Sequence, residues 1–466
     1  MKKRIAAEWE PAIGVMFAWP LFLPHKLVQE FAKDTHVYLL VSDDEAIEAA
    51  KRTFDEWVVD PTRVTYVKVS QGDDCSWPRD FGPHALFDER GEQHLLGPSY
   101  LFSTPFANVG HDAPLLAPDF EEHPIDEFES DGKDDLAAGQ IAKALGVDFI
   151  KLPFAFTGGN MLTDGVNSII STEILLFENR YKGFSDDEYF SQVAEVTGMT
   201  NYTVLSDYED LNLNHIDCLA KPIDDRRIIV LRFPKSHPHY DIVEHIVDTE
   251  LAGATNSYGE PWEIIRLDTD YFGEDGGVAA YSNSLILNKC VYVPMYGIHT
   301  DEGALETFRA ALPGYDVKGF TFVLDDEPES SDIPREDYEE IGWQSFDVLH
   351  CRSRAVWDSK MLYVRATRPL GTVCAGEPYR VHATIVAYSG EELTEGMPKL
   401  HWRANGGAWT SADLEAAATR EVFTAEIPGQ AAGTTVEYYV ECSDASGRHE
   451  FAPRVAPAGT YSYVVR

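Results

Sequence analysis

Cysteine is scarce in this chain: six in 466 residues, at positions 75, 218, 290, 351, 374 and 442. A disulfide scaffold needs a far denser supply. No two of the six form a Cys-x-x-Cys pair, which argues against a zinc ribbon or a dithiol redox motif. Basic residues are also in short supply, 38 against 78 acidic ones, for a formal net charge of −40. Such a surface repels phosphate backbones and anionic lipid, so neither nucleic acid nor membrane is expected as a partner. It attracts a small organic cation or a basic peptide, through a field that salt screens within ~10 Å. No run approaches the ~20 apolar residues of a membrane helix. The longest candidate, Leu285 to Pro294, is strand-sized and interrupted by Asn288 and Lys289. Met1-Lys2-Lys3-Arg4 resembles the start of a signal peptide, but Glu8 and Glu10 stand where its apolar core would be. The chain is therefore read as cytoplasmic, or as secreted if a native leader has been removed.

What is present is an ordinary globular composition, 44% hydrophobic and 25% charged. Disorder and coiled coil are poor readings of it. At roughly 100–200 residues per domain, the length argues for two or three domains. Up to about Asp358, strand-like and helix-like segments alternate. His36 to Ser42 reads as a buried strand, Glu45 to Trp57 as a helix and Arg63 to Val69 as a strand. Asp134 to Leu145 reads as a helix closed by Gly146, Ile228 to Arg232 as a strand, and Glu302 to Leu312 as a helix ending before Pro313-Gly314. This is α/β alternation. From about Val364 helical periodicity fades. Tyr379–Tyr388, Lys399–Ala404, Arg420–Ile427, Thr435–Cys442 and Thr460–Val465 read as about five strands, with Asn405-Gly406-Gly407 as a hairpin turn. The tail fits a small immunoglobulin-like β-sandwich with Trp402 in its core and a possible Cys374–Cys442 bridge. The boundary drawn is 1–363 and 364–466. No strict internal repeat is visible, and the acidic stretch Asp325 to Glu340 reads as a solvated loop.

Four short segments put polar residues where packing is expected: Cys75-Ser76-Trp77-Pro78-Arg79-Asp80-Phe81-Gly82-Pro83, Thr157-Gly158-Gly159-Asn160, Asn214-His215-Ile216-Asp217-Cys218 and Leu349-His350-Cys351-Arg352. Each alone has a bland reading. Arg79-Asp80 is an ion pair beside a turn. Gly158-Gly159 is a tight turn and no P-loop, since no Gly-Lys-Ser/Thr follows. His215 and Asp217, two apart, face one side of a strand, and Cys351 is a small buried hydrophobe. Together they make a constellation able to attack a planar cation. Asp80 and Asp217 could grip a guanidinium through paired, charge-assisted hydrogen bonds. That grip would fix the central carbon against the Cys351 sulfur, whose thiol a nearby cation would activate. His215 could move protons to the leaving nitrogen and from the attacking water, and Trp77 could stack on the cation. The scheme calls for no metal and no cofactor. His237-Pro238-His239 with His245 has ligand-like types, but a proline separates two of them and no matched acid stands at helical spacing. A papain-like protease is a poor fit, because Cys-Gly-Ser-Cys-Trp is missing and the candidate His precedes the Cys.

These four motifs, in this order, resemble those of bacterial-type peptidyl-arginine deiminases and agmatine deiminases. Ala7-Glu8-Trp9-Glu10-Pro11 and Ala18-Trp19-Pro20 are similar to the start of those enzymes. The resemblance spans about 1–365. It implies the pentein fold, a five-bladed α/β propeller, here followed by the immunoglobulin-like domain. It also implies a covalent thiouronium intermediate and release of ammonia. Carried over by position, Cys351 is the nucleophile, His215 the general acid/base, and Asp80 and Asp217 hold the guanidinium. Trp77 lines the pocket, and Asn160, in the Gly-Gly-Asn segment, and Asn283, in Tyr281-Ser282-Asn283-Ser284, which matches a further site Asn, are the other expected substrate-binding residues. Agmatine deiminases carry Glu where this chain has Thr157. That difference and the appended domain favour an arginine residue in a peptide or protein as substrate, with agmatine as the alternative. The Arg-x-Arg pair that reads a C-terminal arginine is missing from Tyr100-Leu101-Phe102-Ser103-Thr104-Pro105. An amidinotransferase, with an amine replacing water, and a non-catalytic guanidine-binding or adhesion protein are the remaining rivals.

Overall fold

The computed structural model describes residues 2–72, 75–100, 133–208, 214–273, 276–323, 327–328, 342–345 and 347–466. The stretch 101–105 and most of the acidic segment 325–340 lie outside these. The chain divides into two compact units, one of Lys2–Phe308 with Val317–Trp357, the other of Arg309–Asp316 with Asp358–Arg466.

In the larger unit one structural order recurs. An antiparallel pair of strands is followed by helix and then by a third strand in the same sheet. His84–Phe87 and Gln93–Gly97 pair antiparallel, helix Lys133–Leu145 follows, and Asp148–Lys151 adds parallel. Leu162–Thr163, Ser168–Thr172 and the parallel Asn201–Leu205 repeat the order. So do Ala220–Pro222, Arg227–Arg232 and the parallel Glu263–Asp268. Leu285–Leu287, Cys290–Met295 and Asp316–Thr321 form a fourth such sheet. The fifth joins distant parts of the chain: Arg354–Trp357 runs antiparallel to Ala12–Ala18, which runs parallel to His36–Val41, and that to Val64–Lys68. A parallel neighbour requires a crossover, and helices supply it. Helix His25–Asp34 turns Leu27, Val28, Phe31 and Ala32 inward, a stripe of helical spacing. Helix Asp44–Glu56 starts where the Asp43 carboxylate accepts from the Ala46 amide at 2.9 Å. Among the described residues no helix is long and apolar enough to cross a membrane.

Two local expectations change. Leu285 to Pro294 is not one strand but a hairpin, because Asn288 and Lys289 adopt φ of 48° and 67° and reverse the chain. His215 to Asp217 is not a strand either: Ile216–Cys218 is a single 3-10 turn. The two-residue alternation argument therefore fails there, and tertiary contacts decide where the side chains point.

The smaller unit holds nine strands between Leu362 and Val464. Leu362–Ala366, Tyr379–Ala387, Val422–Ile427 and Glu415–Ala416 form one sheet. Thr410–Asp413, Lys399–Ala404, Thr435–Ser443 and His449–Ala452 form another, with Tyr461–Val464 also on Thr435–Ser443. Strand Thr435–Ser443 alternates cleanly: Val436, Tyr438, Val440 and Cys442 are buried, the residues between them not. Those four join one apolar cluster with Leu362, Val381, Ile385, Leu400 and Ile427. Trp402 is half-buried at its edge. Cys374 is exposed, Cys442 is buried, and neither is in a disulfide.

Candidate functional site

The four motifs meet because backbone groups tie them together. Arg79 lies in the single helical turn Pro78–Phe81, which Pro78 opens and half-buried Trp77 precedes. Its Nε donates to the His350 carbonyl at 3.1 Å, and its amide donates to the Cys351 carbonyl at 3.2 Å. Arg354 donates through Nε to the Pro83 carbonyl at 2.9 Å. Arg79 is thus no surface ion pair but a clamp on the Cys351 segment. The glycines are more than a turn. A Cβ on Gly158 would stand 1.9 Å from the Arg79 carbonyl oxygen. One on Gly159 would stand 2.7 Å from Asp80 Oδ1, 2.8 Å from His215 Nδ1 and 3.3 Å from Asp217 Oδ2. Only glycine permits this approach, and its amide donates to Asp80 Oδ1 at 2.8 Å. Asn160 acts as a brace: its Oδ1 accepts from the Thr172 amide at 2.9 Å and from the Ile216 amide at 3.3 Å.

Around this frame the buried groups converge. Asn283 Nδ2 reaches two sulfurs, Cys351 Sγ at 3.2 Å and Cys218 Sγ at 3.3 Å. Asn283 Oδ1 accepts from the His350 amide at 2.8 Å and the Cys351 amide at 3.3 Å. Cys351 Sγ stands 3.9 Å from Asp217 Oδ2, and His215 Nδ1 stands 3.7 Å from Asp80 Oδ1. Asp217 Oδ1 and His215 Nδ1 are buried and meet no hydrogen-bond partner among the described residues. Buried polar atoms of this kind are few in a folded protein.

Residues that the motifs alone did not assign complete the site. His350 Nδ1 lies 2.6 Å from Asp217 Oδ2, and its Nε2 contacts Glu8 Oε2. Glu8 Oε1 accepts from Lys221 Nζ at 2.9 Å and from the Ile286 amide at 2.8 Å. A neutral imidazole has one N–H, yet this ring faces two carboxyl oxygens. Burial, with Arg79 adding to it, pushes the His350 ring down against the opposite pull of Glu8 and Asp217. The signals were faint: Glu8 sits in the opening motif and His350 beside the candidate nucleophile, but nothing local links them. Glu8, Arg79, Lys221, His350 and Arg354 also line a small cavity of about 30 Å³.

The electrostatics separate the two aspartates. Burial, with Asp217 adding to it, pushes Asp80 up despite His215 and the Gly159 amide. Burial acts on Asp217 too, but His350, His215 and Arg79 outweigh it and hold that carboxyl below the usual range. Glu8, also buried, is held well down by His350, Lys221 and Arg79. For Cys351 the contact with Cys218 pulls the thiol down, but burial with Asp217, Asp347 and Asp80 prevails and pushes it up. Burial drives Glu178, which accepts from Thr157 Oγ1 at 3.2 Å, up to about 8. Two donor groups have metal-compatible types. Asp217, Cys218 and Cys351 present atoms within 4.8 Å of one another, as do Asp88, Glu92 and His94 near a turn. In the first, Asn283 already donates to both sulfurs, an arrangement that suits thiols.

The sequence profile of the Porphyromonas-type peptidyl-arginine deiminases matches residues 4–323. A Shewanella frigidimarina protein provisionally named agmatine deiminase is 26% identical over 352 residues, 67% of this chain and 87% of its own. A Vibrio parahaemolyticus protein of the same provisional name is 25% identical over 266 residues, 52% of this chain and 69% of its own. Among solved structures, the agmatine deiminase of Enterococcus faecalis superposes with a TM-score of 0.54 at 21% identity, over 76% of this chain and 95% of its own. A Porphyromonas gingivalis protein provisionally titled an arginine deiminase gives 0.58 at 22%, over 76% and 98%. At that identity the structures speak for the mixed α/β fold alone.

Proposed function

We propose a reaction from one premise: the chain belongs to the Porphyromonas-type peptidyl-arginine deiminase family, hydrolases that cleave C–N bonds. The reaction is hydrolysis of a guanidino group, giving a ureido product and ammonia. Asp217 and Asp80 hold the guanidinium, and the Cys351 sulfur attacks its central carbon. His215 takes the Cys351 thiol proton and gives it to the departing nitrogen, so ammonia leaves and a thiouronium remains on sulfur. Water then attacks that carbon, His215 takes its proton, and the C–S bond breaks. The single observation that carries this reading is the convergence of Asp80, His215 and Asp217 on Gly159, with Cys351 Sγ 3.9 Å from Asp217 Oδ2 and with Asp217 Oδ1 and His215 Nδ1 buried and without a hydrogen-bond partner among the described residues.

Despite the contact with Cys218, burial and the surrounding carboxylates push the resting Cys351 thiol up. A bound cation cancels that field, so the substrate itself assists formation of the thiolate. Trp77 lines the entry, and Asn283 fixes the sulfur.

For substrate, the curated relatives shift the balance. Those described above carry the name agmatine deiminase, so a small cationic guanidine such as agmatine takes precedence over a peptidyl arginine. The net charge of −40 favours a dication. The peptidyl reading keeps one observation in its favour, Thr157 where agmatine deiminases have Glu. We read the five recurring sheets as a five-bladed propeller and the smaller unit as an immunoglobulin-like sandwich serving as an accessory module. The test is colorimetric detection of ureido product over agmatine, free arginine, blocked arginine and arginine peptides. No turnover of any guanidine rejects the reaction. Cys351→Ala should abolish activity while keeping the fold; residual turnover above ~1% rejects the covalent route.

A further inference from the structure

The reaction uses one thiol, yet the site holds two. Cys218 and Cys351 are both buried and reduced. Their sulfurs lie within 4.8 Å of each other and share the Nδ2 group of Asn283, at 3.3 and 3.2 Å. They reach this position from separate irregular segments, the 3-10 turn Ile216–Cys218 and the turn that precedes strand Arg354–Trp357. Neither cysteine is locked into a sheet ladder, so side-chain rotation with a small backbone shift can bring the sulfurs to the ~2.05 Å of a disulfide.

We propose that Cys218 and Cys351 form an oxidative modification site, closed to a disulfide by hydrogen peroxide and reopened by thiol reductants. In the first step the Cys351 sulfur attacks one peroxide oxygen. An S–O bond forms, the O–O bond breaks, and the departing oxygen takes up the thiol proton and leaves as water, giving a sulfenic acid. In the second step the Cys218 sulfur attacks the Cys351 sulfur. An S–S bond forms, the S–O bond breaks and water leaves after taking the Cys218 proton. Overall two thiols and one peroxide give a disulfide and two waters, each sulfur being oxidised by one electron. Asn283 Nδ2 holds both sulfurs side by side, so the partner of the second step is already in place. Without Cys218, the sulfenic acid would have no resolving thiol and would proceed to sulfinic and sulfonic acid.

The effect on turnover rests on the reading of Cys351 as nucleophile; the bond itself does not. The full chain is treated with hydrogen peroxide, then divided between non-reducing peptide mass spectrometry and an activity assay before and after dithiothreitol. The expected results are a cross-linked pair of peptides holding Cys218 and Cys351, lighter by two hydrogens, and an activity loss of at least about tenfold that dithiothreitol reverses. In Cys218→Ser the loss should persist after reductant, with two or three oxygens added at Cys351. Cys218→Ala, monitored by circular dichroism, stands in if the serine variant does not fold. Over-oxidised Cys351 beside an intact Cys218 thiol in the unsubstituted protein overturns the proposal. So does equal recovery in the Cys218 variants. A cross-link that leaves turnover untouched would instead overturn the role of Cys351, and only that.

Discussion

Asp217 can present one oxygen to a cation because its other oxygen is occupied by His350, and His350 is pinned from behind by Glu8. Glu8 is in turn held by Lys221 and the Ile286 amide. Loosening the far end of this chain should blur the aim of Asp217 without touching the substrate. Glu8→Gln should therefore raise KM for a guanidine by roughly tenfold while kcat changes less, since a partly kept hydrogen bond is worth about 1–2 kcal/mol. Steady-state kinetics read the split, and an unchanged KM would refute the link. At Gly159 the approach is closer. Gly159→Ala drives a methyl to within 2.7–2.8 Å of Asp80 Oδ1 and His215 Nδ1, and should lower kcat/KM by at least ~100-fold, a loss of about 3 kcal/mol of transition-state stabilisation. Glu178 bears on stability. Its folded carboxyl is pushed up to about 8, against ~4.3 in an unfolded chain. Between those values the folded state binds the extra proton, so this group's contribution falls as pH rises from ~4.3 to about 8 and then levels off. Glu178→Gln should flatten the melting temperature across that window, measured by scanning calorimetry.

Elements are held in place by turns as much as by apolar faces. The hairpin at Asn288-Lys289 separates Leu285–Leu287 from Cys290–Met295. Asn288 accepts φ of 48°, and its side chain also bonds both polar groups of Ala12, the amide at 2.9 Å and the carbonyl at 2.7 Å. This one residue reverses one sheet and anchors the first residue of a strand in another. Asn288→Ala loses both bonds and adds left-handed strain, and should destabilise the protein by about 2–3 kcal/mol in urea unfolding. The helices and most longer strands were legible from spacing to within a few residues, because one buried face imposes its period on the sequence. The short strands of the smaller unit, Thr410–Asp413, Glu415–Ala416 and His449–Ala452, were not. They carry little buried apolar surface, so no alternation announces them, and they exist as partners to strands that do. The turn Ile216–Cys218 was misread as a strand because three residues cannot display a period.

The net charge of −40 sets a field that would draw a cationic substrate toward the proposed site. Raising salt from about 10 to 150 mM shortens the screening length from ~30 to ~8 Å. KM should therefore rise with salt, and more for a dication such as agmatine than for blocked arginine; equal KM values across the series would refute long-range steering. The structural order of hairpin, helix and third strand recurs through the larger unit, although no repeat is visible in the residues. Burial asks only for an apolar side chain of suitable volume at each inward position, so the shape can repeat while the letters drift. Spacing and residue type were enough to read the α/β alternation, the β-rich tail and the four motifs whose chemistry points to a guanidinium. Periodicity and residue type are local properties, and they survive on the page. It took the folded chain to bring Glu8 to His350 across 342 positions, to set Asn283 between two sulfurs and to place Asp80 and Asp217 in unlike fields. Those facts depend on which distant groups share a desolvated space, and no linear spacing encodes that.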